Sequence, residues 1–416
     1  MAHSNELLPE PLTLKFALGL SKNINPDLAF KLAEKDRLTS TKLADESEHG
    51  FNVFIEGQLD WYERSTILIQ KTISEEHKVS LRLTKPIYDF GSVQHKLDAT
   101  DRLLDSNALD YQNEIYIRQV KILEAYFNVL LSDLIFNRHN ENMAISFIEW
   151  DRTQKRNKLG TTSELDVEKK HSEYQRVRRE RFESENNQRR TRNRLAVLMN
   201  TNGNLPLTLE MPKNNKRVKL YPAVDELVKK AFENNLTLKS IRKRIDSVRK
   251  TIKATKSQMM PQIDFVGETS AYASKLTLNS RIRENWNVAI VVGMPLYDSG
   301  KMDSEVAKIR AEIYQLESLL RQTKETIQDE LLSLKLKLDT LRFERDEANA
   351  FSNYSELLLD EKRALYEMEV KTTLGTAMVQ ATDAEYGVAK VLYETLLTWA
   401  RIDILVGEEP AINIFK

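Results

Sequence analysis

The side chains best suited to proton transfer or metal ligation are six histidines, His3, His49, His77, His95, His139 and His171. They form no close pair, and the chain has no HExxH run, phosphate-binding glycine loop or nucleophile elbow. Cysteine is absent, which removes disulfides, thiolate metal sites and lipidated thiols, and suits an oxidising compartment. His95 and His171 stand in charged helical runs and read as surface residues. This pattern predicts no enzyme, no catalytic residue, no cofactor and no metal. Two basic runs, KRNK (155–158) and RRERFESENNQRR (178–190), look locally like nucleic-acid patches. Acids are interspersed with them, and the whole chain balances 62 basic against 62 acidic residues. Solvated helix faces therefore fit better than a surface that binds by releasing counterions, and no nucleic-acid partner is expected.

The elements around these residues are long. In 416 residues there are only 12 glycines and 10 prolines, with 30% charged residues and a mean hydropathy of -0.49. That composition predicts uninterrupted helices rather than many turns. No run of 18 apolar residues could form a membrane-crossing helix. The start, MAHSNELLPE, lacks the basic and apolar segments of a secretory signal. Either the protein is cytosolic or a signal has been removed and an initiator methionine stands in its place.

One phrase occurs twice: KPIYDFG at 85–91 and GMPLYDSG at 293–300. Pro86, Tyr88, Asp89 and Gly91 correspond to Pro295, Tyr297, Asp298 and Gly300 at one spacing. Upstream, NPDL (25–28) corresponds to NLTL (235–238). Downstream, LAVLMN (195–200) corresponds to IDILVG (402–407). Three matches in one order predict a duplication, with repeats at 1–210 and 211–416. Each repeat reads helix, strand, strand, long helix, break, helix. The first helices are expected over about Leu12–Glu48, with a break at Asn25-Pro26, and about Ala223–Gln258 without one.

Four segments alternate with period two. Val53, Ile55, Leu59 and Trp61 oppose Asn52, Glu56, Gln58 and Asp60, with Phe54 an exception. Val79, Leu81, Leu83 and Ile87 oppose Ser80, Arg82 and Thr84. Ile263 and Phe265 oppose Asp264, Glu268 and Ser270, and Trp286, Val288, Ile290 and Val292 share a face. The strands are expected at about 51–62, 79–88, 262–272 and 286–297, with long loops at Glu63–Lys78 and Ala273–Asn285. Alternation alone allows a small sheet packed on helices or a porin-like wall. Aromatic residues at the expected strand ends (Trp61, Tyr62, Tyr88, Tyr272, Trp286, Tyr297) suit the wall, since they would form an interfacial girdle. Four strands cannot close around a lumen, so a wall requires several copies of the chain.

Helical hairpins follow at about 92–200 and 301–407. Ser92–Lys158 has neither proline nor glycine, and 67 helical residues span roughly 100 Å. Such lengths belong to coiled coils, bundles or projecting tubes. The rival to a membrane wall is a soluble coiled-coil scaffold, which explains the helices but not the alternating strands.

Taken together, NPDL, the doubled P-[IL]-Y-D-x-G corner, the LAVLMN and ILVG endings and the duplication resemble the TolC family of outer-membrane channels over roughly residues 11–407. The resemblance implies a mainly α fold with a membrane β-barrel part. It implies a homotrimer whose protomers each give four strands to a 12-stranded barrel, continued by a periplasmic α-helical tube. It implies residence in the outer membrane of a Gram-negative bacterium among its lipids, with the signal peptide removed. It further implies a periplasmic adaptor and an inner-membrane transporter as partners, in drug or metal efflux or type I secretion. The corners Pro86, Gly91, Pro295 and Gly300 would join strand to tube helix, and Glu56, Asp60, Arg82, Asp264 and Glu268 would face the lumen. At the tip, the family pattern assigns a gate to Asp166, Tyr366 and Lys371. It assigns adaptor contacts to the turns Leu159, Gly160, Thr161 and Met368, Glu369, Val370. The second turn departs from the pattern: Glu369 replaces a glycine, and Gly375 and Met378 replace two acids of a pore-narrowing ring.

Overall fold

The computed structural model describes residues 8–66, 69–201, 205, 208–212, 223–274, 281–368 and 373–410. In chain order, α1 is Leu14–Gly19, followed by a 3-10 turn at Leu20–Lys22, and α2 is Pro26–Ser47. Strands β1 (Asn52–Thr66) and β2 (Ile69–Tyr88) lead into α3 (Ser92–Lys158) and α4 (Glu164–Met199). The pattern then repeats as α5 (Val224–Asn234), α6 (Leu236–Ser257), β3 (Gln262–Ser274), β4 (Arg281–Gly293), α7 (Lys301–Glu367) and α8 (Leu374–Leu405). Helices α2 and α6 have 22 residues each, and α3 and α7 have 67 each. Among the described residues no helix is long and apolar enough to cross a membrane.

The helix boundaries follow from local chemistry. Pro26 opens α2, where a missing N–H costs nothing, and the Asn25 carboxamide accepts from Leu28 N (2.9 Å). The corresponding place in the second repeat, Asn235, also breaks the chain, between α5 and α6. The continuous helix expected there is therefore two helices. Ser163 caps α4 by accepting from Asp166 N (3.1 Å). Asn200, at φ +58°, ends α4 in the left-handed region, and Gly407, at φ +79°, follows α8 in the same way.

The chain forms two compact units, each drawing on both repeats. One comprises residues 1–29, 111–236 and 324–416. Its core packs Leu12, Leu14 and Leu18 against Ile122, Tyr126 and Phe127 of α3, Leu195 and Met199 of α4, and Tyr393 of α8. Phe127 stacks on Tyr393 with centroids 4.4 Å apart. The Tyr126 hydroxyl lies 2.7 Å from both the Leu12 and Glu210 carbonyls, tying two loop segments to α3. Burial pushes the Tyr393 hydroxyl up to about 12, so it stays protonated. Arg118 is 2% exposed, and among the described residues its hydrogen bonds go to backbone carbonyls. It donates to the carbonyls of Ser21 (3.0 Å), Asn23 and Leu198 (3.1 Å), which end the 3-10 turn and α4. A fixed cation there satisfies carbonyls that a helix terminus leaves free.

The other unit comprises residues 30–110 and 237–323 and holds the sheet. Its strands run antiparallel in the order β1-β2-β3-β4. The strands are longer than the alternation predicts. Glu63–Thr66 and Ile69–Lys78 are paired strand, as are Ala273–Ser274 and Arg281–Asn285, so most of each expected loop is hairpin. Polar residue types are interspersed through the sequence of these outer segments, which erases the period-two signal while the backbone ladder continues. β4 ends at Gly293, short of the expected 297.

Candidate functional site

The sheet register sorts side chains onto two faces. One carries rows such as Val53–Leu83–Gly267–Val288 and Ile55–Leu81–Thr269–Trp286. The opposite face carries Phe54–Arg82–Glu268–Asn287 and Glu56–Ser80–Ser270–Asn285. Asp60 and Asp264 share the parity of this second face, so all five expected lumen residues lie on one side of the sheet. Glu268 accepts from Lys78 (3.2 Å) and from Arg82 (3.0 Å). Glu56 and Asp60 are on β1, where Asp60 accepts from Gln58 (2.8 Å). The burial is inverted relative to a soluble sheet: Ser80 is 3% exposed, whereas Ile55 is 70% and Trp286 81% exposed. A wide apolar surface of this kind needs lipid or protein against it. The aromatic residues do not all stand at strand ends. Trp286 lies inside β4 because that strand starts at Arg281, and Tyr272 shares the polar face with Lys78. At the lower edge, the Lys85 ammonium sits 4.4 Å from the Phe51 ring centroid.

The two corners have one geometry. In the first, Asp89 Oδ1 accepts from Gly91 N (3.0 Å) and Oδ2 from Val93 N (2.6 Å). In the second, Asp298 Oδ1 accepts from Gly300 N (3.0 Å) and Oδ2 from Met302 N (2.7 Å). The residue between takes φ +52° at Phe90 and +59° at Ser299, and the glycines take +79° and +80°. Two successive left-handed residues turn the chain from strand to helix, and only glycine adopts the second without strain. The carboxylate then caps the long helix and faces its positive end. This explains why the phrase recurs as D-x-G. Pro86 and Pro295 lie just before the turn; Pro86 is at a strand irregularity. Asp89 and Asp298, which do the capping, were not singled out as site residues, although their place in the repeated phrase was the available signal. The first corner is further closed by His49, whose Nε2 lies 3.2 Å from Asp89 Oδ2. Burial raises the Asp89 carboxyl, but the Val93 and Gly91 amides and His49 outweigh it, and it is held below its ordinary value.

At the end of the first hairpin, Leu159, Gly160 and Thr161 form a tight exposed turn, with Gly160 N donating to Asn157 O (2.8 Å) and Thr161 N to Arg156 O (3.0 Å). Asp166 is engaged with Ser163, whose hydroxyl donates to its carboxylate (2.6 Å). Tyr366 and Met368 are exposed near the end of α7. Lys371, Glu369 and Val370, and with Lys371 part of the expected Asp166–Tyr366–Lys371 gate, lie outside the described residues. Gly375 packs closely: a Cβ there would lie 2.8 Å from Ile145 Cγ1, so any larger residue would displace the Ile145 side chain. Asp383, one turn-set further on, is paired with Arg138 (2.6 Å). Among the described residues no three of His, Asp and Glu converge as a metal-ligand set.

The family model described as "Outer membrane efflux protein" matches residues 51–201 and 227–389, well over half of the chain. The chain belongs to the outer membrane efflux protein family. Among its curated relatives is the outer membrane protein TolC of Escherichia coli (strain K12), 22% identical over 329 residues, covering 75% of this chain and 64% of TolC. The chain thus spans less than two thirds of that relative. Among solved structures, the Campylobacter jejuni CmeC outer membrane channel superposes with TM-score 0.75 at 12% identity, covering 96% of this chain and 87% of that one. CusC, whose structures concern folding and transmembrane channel formation, gives 0.74 at 13% identity, covering 95% and 92%. The family places the chain in the Gram-negative outer membrane, its helices reaching into the periplasm.

Proposed function

We propose that the chain is one protomer of an outer-membrane exit duct, passing substrates outward from an inner-membrane transporter. The observation that carries this reading is the four-stranded sheet, apolar and exposed on one face, polar on the other, with β1 and β4 as open edges. An unpaired edge recruits another strand, and β4 of one copy against β1 of the next closes a barrel. Three copies give twelve strands, the number the resemblance implies, so a homotrimer is the assembly proposed. The repeats 1–210 and 211–416 then supply alternate staves. Glu56, Asp60, Arg82, Asp264 and Glu268 line the lumen. Asp166, Tyr366 and Lys371 hold the tip shut. The turns Leu159–Thr161 and 368–370 receive a periplasmic adaptor.

A soluble scaffold predicts the opposite environment for Trp286. In a Trp150→Phe/Trp399→Phe background only Trp61 and Trp286 remain. Reconstituted protein should lose most of its tryptophan fluorescence to brominated phospholipids and little to aqueous acrylamide. Quenching by acrylamide alone would refute the membrane wall.

A further inference from the structure

At the first corner a cavity of about 320 Å³ lies between the end of α2, the turn into α3 and the passage from α6 to β3, all within the sheet-bearing unit. That volume suits the head of a small molecule. Part of its wall comes from the sheet. Pro86 is paired with Asp264, and both alternate onto the face that carries Arg82 and Glu268. The cavity therefore borders the face proposed above to line the duct.

The charges around it do not cancel. Lys96 is taken up by both oxygens of Glu48 (2.6 Å each). Asp89 is taken up by the Gly91 and Val93 amides and by His49. Asp264 is left over. Its carboxylate makes no hydrogen bond or ion pair with another described residue. Neither do the carboxamides of Gln258 and Gln262 or the hydroxyl of Tyr88, which line the cavity with it. Tyr88 is about half exposed. The corner does not need this carboxylate for its shape. Strands β1 and β3 begin at equivalent places, Asn52 and Gln262, so Asp264 answers to Phe54, whereas both corners keep the aspartate cap.

We infer that the cavity holds the ammonium group of an organic amine cargo, paired with Asp264, with the Tyr88 ring against its charge and the Gln258 and Gln262 carboxamides accepting its remaining N–H groups. A carboxylate with no cation of its own and an accessible aromatic ring both favour positive charge. Three acids, Glu48, Asp89 and Asp264, stand against one lysine and disfavour an anion. A bare metal ion fits less well, because no three of His, Asp and Glu converge among the described residues. The inference rests on the duct reading and adds a substrate class to it.

Monodansylcadaverine, a fluorescent primary amine, is the probe, and its N-acetylated form, which lacks the charge, is the control. With protein in nanodiscs and empty nanodiscs subtracted, anisotropy should show saturable binding of the amine and none of the acetylated form. Asp264→Asn should weaken binding about tenfold, and Asp264→Glu should keep most of it. Tyr88→Leu should weaken it more than Tyr88→Phe, with Val93 amide protection confirming that each variant keeps its corner. Nanodiscs with and without phosphatidylethanolamine should give one affinity. Displacement by that lipid would assign the cavity to a lipid headgroup and overturn the cargo reading. Equal binding by wild type and Asp264→Asn, or none by wild-type protein that still conducts in planar bilayers, would overturn the inference and leave the duct standing. Binding by protein that forms no conducting pore would overturn the duct and, with it, the assignment of the amine as cargo.

Discussion

Replacing Asp89 with asparagine keeps the size of the side chain and removes its charge and one of its two acceptors. The native carboxylate accepts from Gly91 N (3.0 Å) and Val93 N (2.6 Å), so the carboxamide must turn an NH2 group toward one of these amides. A hydrogen bond to a charged group contributes about 1.5–3 kcal/mol, and a lost helix cap costs roughly 0.5–2 kcal/mol. About 2 kcal/mol is a reasonable central value, or about 30-fold in the local opening equilibrium. Amide hydrogen exchange is the appropriate assay, because it reads the first turn of α3 without requiring two-state unfolding of a membrane protein. Protection at Val93 should fall about 30-fold in Asp89→Asn while mid-helix amides are unchanged. Asp298→Asn should do the same at Met302, less strongly, since no histidine faces Asp298 among the described residues. Unchanged exchange at Val93 would refute the capping account of the repeated phrase.

Further outcomes follow from the same contacts. The Asp89 carboxyl is lowered in the folded state, so its stabilisation is full above its unfolded value of about 4 and is lost as pH falls below that; Val93 protection should drop below about pH 4. Arg118→Met strands three carbonyls that now share one guanidinium, and should cost about 3–5 kcal/mol in thermal unfolding, with Arg118→Lys a partial rescue because it lacks the planar fork. Gly375→Asp should cost about 1–3 kcal/mol by overpacking against Ile145, and Ile145→Ala should recover part of it; strict additivity would contradict the contact. Glu268→Gln leaves Lys78 and Arg82 without their carboxylate, so in planar bilayers the channel should shift toward anion selectivity, and no shift would argue against that face lining the pore.

The long helices were legible because proline and glycine punctuate them: Ser92–Lys158 is recovered at both ends, and Pro26 marks the first break. Asn235 carries no proline, so the equivalent break was hidden. The strands were legible only where one face is apolar. Beyond Trp61 polar types interrupt the sequence, the alternation fades, and paired strand reads as loop. The corners were legible as a phrase but not as a mechanism, since the left-handed turn at Phe90–Gly91 and the Asp89 cap are three-dimensional facts. Arg118 carried no sequence signal at all. Its partners are backbone carbonyls, which every residue type supplies. At the tip, sequence correspondence found the turn at Leu159–Thr161, but Gly375 is explained only by its approach to Ile145.

The central claim is that this chain builds its membrane wall only as an assembly. The molar mass of the protein extracted in detergent from the outer-membrane fraction, by light scattering with the detergent subtracted, tests it most directly. The account predicts three chains of 48.2 kDa, found in that fraction alone. A monomer or dimer that stays in solution without detergent would contradict it and leave the helices as a soluble scaffold.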